Sequence, residues 1–210
     1  MVAGTAPDTI RVGTARRATV GGRSSGRPSR RLFASGTTMT TALHLPEEPA
    51  LRPWLRLAAA ILPVAATAAL GSASTQAEIP GWYAGLNKPG FNPPNWVFPV
   101  AWTILYTMIA VSAWRLLGAR PRTGPARQGW WLAVLAFAVQ LALNAAWTPV
   151  FFSAHAIGVA LVVVVALLVM VLWTIRLSWR FDRVAAWLLV PYAGWVAFAS
   201  LLNAAILRLN

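Results

Sequence analysis

The chain has 210 residues, 58% of them hydrophobic and only 11% charged, with a net charge of +13, 12 tryptophans and no cysteine. That composition belongs to membrane proteins, and the lack of cysteine excludes a disulfide framework and thiolate chemistry. The charge does not argue for a nucleic-acid partner, because the arginines are spread over separate loops with no nucleic-acid-binding motif around them.

Residues 1–53 read as a disordered basic leader. Seven of the 18 basic residues fall in its first 38 positions, among Ser, Thr, Gly and Ala and with one acid, Asp8. Such a segment cannot bury enough apolar surface to fold alone. Arg-rich, acid-poor composition also marks organellar transit peptides. The reading favoured here is a translation start at Met39, which opens a short polar lead into the first apolar stretch. Neither reading gives the leader a chemical role.

A helix needs about 20 mostly apolar residues to cross roughly 30 Å of hydrocarbon. Five stretches meet that requirement, at residues 54–74, 95–117, 128–150, 154–177 and 184–207, and the connections between them are too short for a soluble domain. The predicted fold class is an all-α integral membrane protein, a five-helix transmembrane bundle over residues 54–210. A soluble helical core would need polar faces at helical period, and residues 160–172 have none.

The connection between the first and second spans is aromatic and proline-rich. It contains Trp82, Tyr83, Lys88, Pro89, Asn92, Pro93 and Pro94, and its prolines push the residues before them toward extended backbone. It is expected to fold over the bundle as a lid, the alternative being an ordinary interfacial loop. Asn92 before Pro93 suits an N-cap followed by proline at N1, which would start the second helix there.

In the second span, Trp102 and Tyr106 stand four residues apart on one face. In the third, Gln140, Asn144 and Trp147 share a face, and amides in hydrocarbon are costly unless paired, so that face should point inward. Interhelical glue and ligand contact explain the amides equally well. Ala138, Ala142 and Ala146 form a small-residue series roughly 200° round the helix from the amides, fit for another helix or a second subunit. The fifth span repeats the pattern with Trp195, Ala199 and Asn203, and Pro191 predicts a kink one turn earlier. Trp54, Trp114, Trp130, Trp131, Trp173 and Trp179 lie near the span ends, where an interfacial aromatic belt accounts for them.

Orientation follows from the basic residues. Arg52, Arg56, Arg115, Arg120, Arg122, Arg127, Arg176, Arg180 and Arg183 would lie on one side, and only Lys88 and Arg208 on the other. The positive-inside rule makes the N-terminus cytoplasmic and the C-terminus external. A bacterial cell membrane is expected over an organelle. No acid lies within a span, which disfavours proton-coupled transport. His44 and His155 stand alone, without a second ligand at i+4, so no metal site is expected.

The sequence resembles the TspO/MBR family: the tryptophan-rich sensory proteins of bacteria and the mitochondrial translocator protein, also called the peripheral benzodiazepine receptor. The resemblance rests on Trp82-Tyr83-Ala84-Gly85-Leu86-Asn87-Lys88-Pro89, Phe91-Asn92-Pro93-Pro94, Trp102-Thr103-Ile104-Leu105-Tyr106, Gln140 through Trp147 and Pro191 through Asn203. It runs from about residue 54 to the C-terminus. It implies a five-helix bundle, commonly a homodimer, with a pocket under the first external loop for porphyrins and isoquinoline carboxamides. By that resemblance the ligand-binding residues are Tyr83, Trp102, Tyr106, Gln140, Asn144, Trp147, Trp195 and Ala199.

Two departures stand out. Where many members have Gly-Pro-Val before the tryptophan of the second helix, this chain has Pro99-Val100-Ala101. The proposed sterol pattern needs a basic residue shortly after a tyrosine, but after Tyr192 the next is Arg208.

Three functions are compatible with these features. The favoured one is a tetrapyrrole-binding sensor or regulator, with protoporphyrin IX or a related tetrapyrrole as ligand and no cofactor required. Its flat face would stack on Trp102, Trp147 and Trp195, with the amides and Lys88 as partners for propionates. The second is light-dependent porphyrin breakdown, with Trp102 and Trp195 as photochemical candidates, since no dark catalytic group is visible. The third is a facilitated carrier of porphyrin or lipid. Expected partners are a small aromatic ligand, membrane lipid and a second copy of the chain.

Overall fold

The computed structural model describes residues 52–210. The leader up to residue 51, including Met39 and His44, lies outside the described residues. Helices run α1 Pro53–Gln76, α2 Trp82–Gly85, α3 Val97–Gly118, α4 Pro125–Thr148, α5 Ile157–Ser178, α6 Arg183–Leu188 and α7 Val190–Leu209, with a π-helical turn at Pro149–Ser153. No strand occurs among the described residues. Five spans are long and apolar enough to cross a membrane: α1, α3, α4 with its π-turn, α5, and α6 with α7. At 1.5 Å per residue the 22 residues of α3 reach about 33 Å, enough for the hydrocarbon layer. The protein is a multi-pass membrane bundle.

Its surface supports the same conclusion. Leu62, Ile104, Leu135, Val162, Val169 and Leu201 are exposed along the helix flanks, an apolar belt that water would not tolerate but lipid does. Several hydroxyls within the spans turn back on their own helices: Thr67 donates to the Pro63 carbonyl, Thr107 to Thr103 and Thr174 to Met170. Such bonds keep these hydroxyls paired where no water is at hand.

Several helix ends differ from the sequence reading for local reasons. α4 starts three residues before the expected Gln128, because Gly124 takes a positive φ of 79° and Pro125 follows as its first residue. Asn92 does not cap the second span. That helix starts at Val97, and the Asn92 side chain is instead bonded to Tyr83 and to the Pro93 carbonyl. At Pro191 the expected kink is a break between α6 and α7 at Leu189. The Leu189 amide bonds to Ala186 and Trp187, and the Ser112 hydroxyl of α3 takes the Ala185 carbonyl at 2.8 Å.

The two ends of the bundle are chemically distinct. At one, the Arg56 guanidinium lies 4.3 Å over Trp114, Arg115 pairs with Asp182 at 2.9 Å, and Arg120 covers Trp130. The Arg56 guanidinium also lies close over Gly118, where a Cβ would fall 2.5 Å from its Nη1 and the flexible end of the arginine would have to shift. Trp130 corrects the belt assignment: it is 1% exposed, and its indole N–H donates to the Leu116 carbonyl at 2.8 Å. It is a core residue that ties α4 to the end of α3. At the other end Glu78 pairs with His155 at 2.9 Å, and Asn87 is clamped to Asn210.

Candidate functional site

A cavity of about 630 Å³ opens between α1, α3, α4 and α7, beneath the loop after α1. Its volume is that of a small-molecule site. α5 supplies no lining residue; it packs behind α4 and α7 and fixes them. Six of the eight sequence-selected residues line the chamber: Tyr83, Trp102, Tyr106, Trp147, Trp195 and Ala199.

The wall is a connected aromatic surface. Trp102 stacks on Tyr106 with centroids 5.0 Å apart, Trp147 stacks on Phe151 at 5.5 Å, and Trp195 meets Phe98 edge-on at 6.0 Å. Edge and offset contacts of this kind hold ring planes in place beyond what apolar burial alone would do. Asn203 accepts a bond from the Trp147 indole at 3.3 Å and donates to the Ile157 carbonyl at 2.9 Å. It therefore orients a wall residue while joining α7 to the start of α5.

Gln140 and Asn144 do not reach the cavity. Asn144 is buried behind it, accepting from the Tyr106 hydroxyl at 3.2 Å and donating to the Tyr192 hydroxyl at 2.6 Å. The amide thus bolts α4 to α3 and α7. Gln140, one turn away, is fully buried among the helices, and neither side-chain polar atom has a hydrogen-bond partner. Both amides face inward, as the cost of amides in hydrocarbon requires, but toward neighbouring helices. Ala138, Ala142 and Ala146 are exposed on the outer side of α4, beside Leu135 and Val139.

The lid folds over the cavity mouth. Trp82 stacks on His155 at 4.1 Å and nearly parallel, Tyr83 is buried against Phe151 and Phe152, and Phe91 meets Phe198. The Tyr83 hydroxyl donates to Asn92 at 3.0 Å, which fixes the Asn92-Pro93-Pro94 limb over the buried ring. Burial pushes the Tyr83 phenol up, partly offset by that bond. Lys88 does not face the chamber. Its ammonium donates to the Ala84 and Leu86 carbonyls and lies 4.8 Å over the Tyr83 ring, closing the end of α2. His155, isolated in sequence, is joined to Glu78 and Trp82 and holds a positive φ of 54°.

Sequence reasoning missed the wall supplied by α1. Ala68, Gly71, Ser72, Thr75 and Gln76 line the cavity, with Ile79 from the turn that follows, and the helix residues' spacing of 3, 4, 7 and 8 is a single helical stripe. A small and hydroxylic stripe in an otherwise Leu- and Ala-rich span was the available signal. Phe151 and Phe152 were missed as well, at the π-turn that Pro149 opens. Such turns recur at functional sites.

The fold and the chamber define a class: a five-helix membrane protein with an aromatic cavity near one face, closed by a loop. The family model of the TspO/MBR family matches residues 59–209, and the chain belongs to that family. It is 39% identical over 162 residues to the tryptophan-rich protein TspO of Archaeoglobus fulgidus, covering 74% of this chain and 97% of that one. It is similar to protein CrtK of Rhodobacter capsulatus, 42% over 130 residues, covering 61% and 78% respectively. With the human translocator protein it shares 33% identity over 161 residues, covering 75% and 92%.

Proposed function

We propose that this protein binds a tetrapyrrole, protoporphyrin IX or a close relative, and acts as a sensor or regulator of porphyrin metabolism. The observation that carries the reading is a chamber of about 630 Å³ with Trp102, Trp147 and Trp195 on its walls and no charged residue among those lining it. A flat conjugated macrocycle matches indole walls through stacking and apolar burial. Lys88 is occupied by the lid, so the propionates point to the mouth, where Ser72, Thr75, Gln76 and Asn95 offer hydroxyls and amides. The N-terminus is cytoplasmic and the lid external, in a bacterial cell membrane, and the exposed alanine stripe of α4 seats a second copy.

Titration of purified protein with protoporphyrin IX in the dark tests this. Saturable quenching of tryptophan fluorescence is expected, weakened by Trp102→Phe or Trp195→Phe by about three- to tenfold in Kd, the worth of one aromatic contact. Quenching unchanged in both variants would remove the proposed chamber from consideration.

The stacking of Trp102 on Tyr106, with Tyr192 at 6.3 Å from Trp102, favours a second reading. Under light, an excited porphyrin takes an electron from the indole, and the phenols beside it serve as onward donors. A defined photoproduct formed by the wild type and lost in Trp102→Phe supports it. Bleaching at the rate seen with an unrelated membrane protein leaves binding alone.

A further inference from the structure

The basic end of the bundle carries a second feature, remote from the chamber. Leu172, Ile175, Arg176 and Trp179 form a groove of about 430 Å³ on the outer side of α5. Their spacing of 3, 4 and 7 residues makes it one helical face, apolar toward the bilayer centre and cationic toward the helix end. Beside the groove lies α6. Trp179 contacts Trp187 of α6 with centroids 5.5 Å apart, and Arg183 precedes Trp187 by one turn of α6. Each of the two indoles in contact thus has an arginine about one turn before it on its own helix.

Among the described residues these cations have no partner. Of the two acids among the described residues, Glu78 lies at the opposite end. Asp182 is taken by Arg115 and by the Ala185 amide. Among the described residues, neither the Arg176 nor the Arg183 side chain makes a hydrogen bond or ion pair, and both are exposed. Of the other arginines at this end, Arg115 is held by Asp182, and Arg56 and Arg120 lie against indole faces; Arg180, next to Trp179, is exposed like Arg176 and Arg183. An anionic group is what Arg176 and Arg183 lack. The apolar floor beside it, facing lipid, restricts that group to one attached to a hydrocarbon chain.

The geometry points to a site for an anionic phospholipid, its phosphate held between Arg176 and Arg183, its glycerol region against Trp179 and Trp187, and an acyl chain along Leu172 and Ile175. Indoles are suited to this depth because their N–H meets the polar region while the ring stays apolar. The site ties α6 to α5 from outside, next to the break at Leu189 where the fifth span lacks a continuous helix.

The test uses the full chain in phosphatidylcholine bilayers containing spin-labelled phosphatidylglycerol or spin-labelled phosphatidylcholine, measuring the fraction of label immobilised at the protein. Wild type is expected to prefer phosphatidylglycerol. Each arginine beside an anionic headgroup is worth about fivefold, so Arg176→Gln with Arg183→Gln should reduce the preference at least about fivefold, and each single variant by an intermediate amount. The control, Arg122→Gln with Arg127→Gln, removes the same charge from the same end. Retained preference in the control with loss in the test pair supports the site. Equal loss in both pairs overturns it in favour of diffuse attraction to a basic belt, and no loss in either overturns it outright. Thermal unfolding midpoints verify that each variant is folded, and because the substitutions are exposed, the single variants keep the comparison available.

Discussion

Replacing Asn144 by leucine separates two roles that helical spacing left equivalent. The amide holds the Tyr106 hydroxyl at 3.2 Å and the Tyr192 hydroxyl at 2.6 Å, joining three spans, yet it lies outside the cavity wall. Interhelical hydrogen bonds in membranes average about 0.6 kcal/mol and reach about 1.7, so losing two costs about 1 to 3 kcal/mol. The upper part of that range is favoured because Tyr192 is fully buried and would keep an unpaired hydroxyl. Unfolding in mixed micelles, followed by circular dichroism, reads the loss. Tyr192→Phe in the Asn144→Leu background should restore part of it, since the orphaned hydroxyl is then gone, and the two costs should not add. Porphyrin affinity should change little, through slight movement of Tyr106 alone. An affinity loss of tenfold or more with unchanged stability would refute the assignment and place Asn144 in contact with ligand.

Gly71 lines the cavity, and a Cβ there would sit 3.5 Å from the Thr148 hydroxyl, an ordinary contact. Gly71→Ala should therefore gain about 0.5–1 kcal/mol in helix stability with the chamber intact, while Gly71→Phe should fill it and abolish porphyrin quenching without unfolding the bundle. Removing Asn210 cuts the clamp on Asn87 at the lid base. Stopped-flow fluorescence should show ligand entry and release both faster, with a smaller change in Kd. At the basic end, burial alone would raise the Asp182 pKa, but the Ala185 amide and the Arg115 bond and charge outweigh it and hold the carboxyl below the usual range. Its folded pKa is depressed, so its stabilisation is complete above the unfolded aspartate value of about 3.9 and is lost as pH falls through the folded value. Acid unfolding curves of wild type and Asp182→Asn should accordingly converge at low pH and diverge above it.

The sequence by itself determined the solvent and the element count. Apolar runs of bilayer length need no tertiary information, because hydrocarbon leaves the backbone only helix or closed barrel, and an unbroken run of about 20 apolar residues fits the helix. It also determined which faces turn inward: Trp102 with Tyr106, and Trp195 with Ala199, line the chamber because helical period sets direction whatever the neighbours are. Tertiary structure decided what each inward face meets. Gln140 and Asn144 share the inward side of α4 with Trp147, but a helix inside a bundle has several neighbours, and spacing along one helix cannot say which arc faces a void and which a tyrosine from another span. Lys88 belongs to the lid because the carbonyls at the end of α2 lie within its reach, a contact that exists only once Ala84 and Leu86 have turned. Trp130 is core and Trp131 is surface although they are adjacent, since only the crossing of α3 and α4 puts the Leu116 carbonyl within 2.8 Å of one indole. The same crossings opened the chamber against the small-residue stripe of α1, where small side chains leave room that larger ones would have filled.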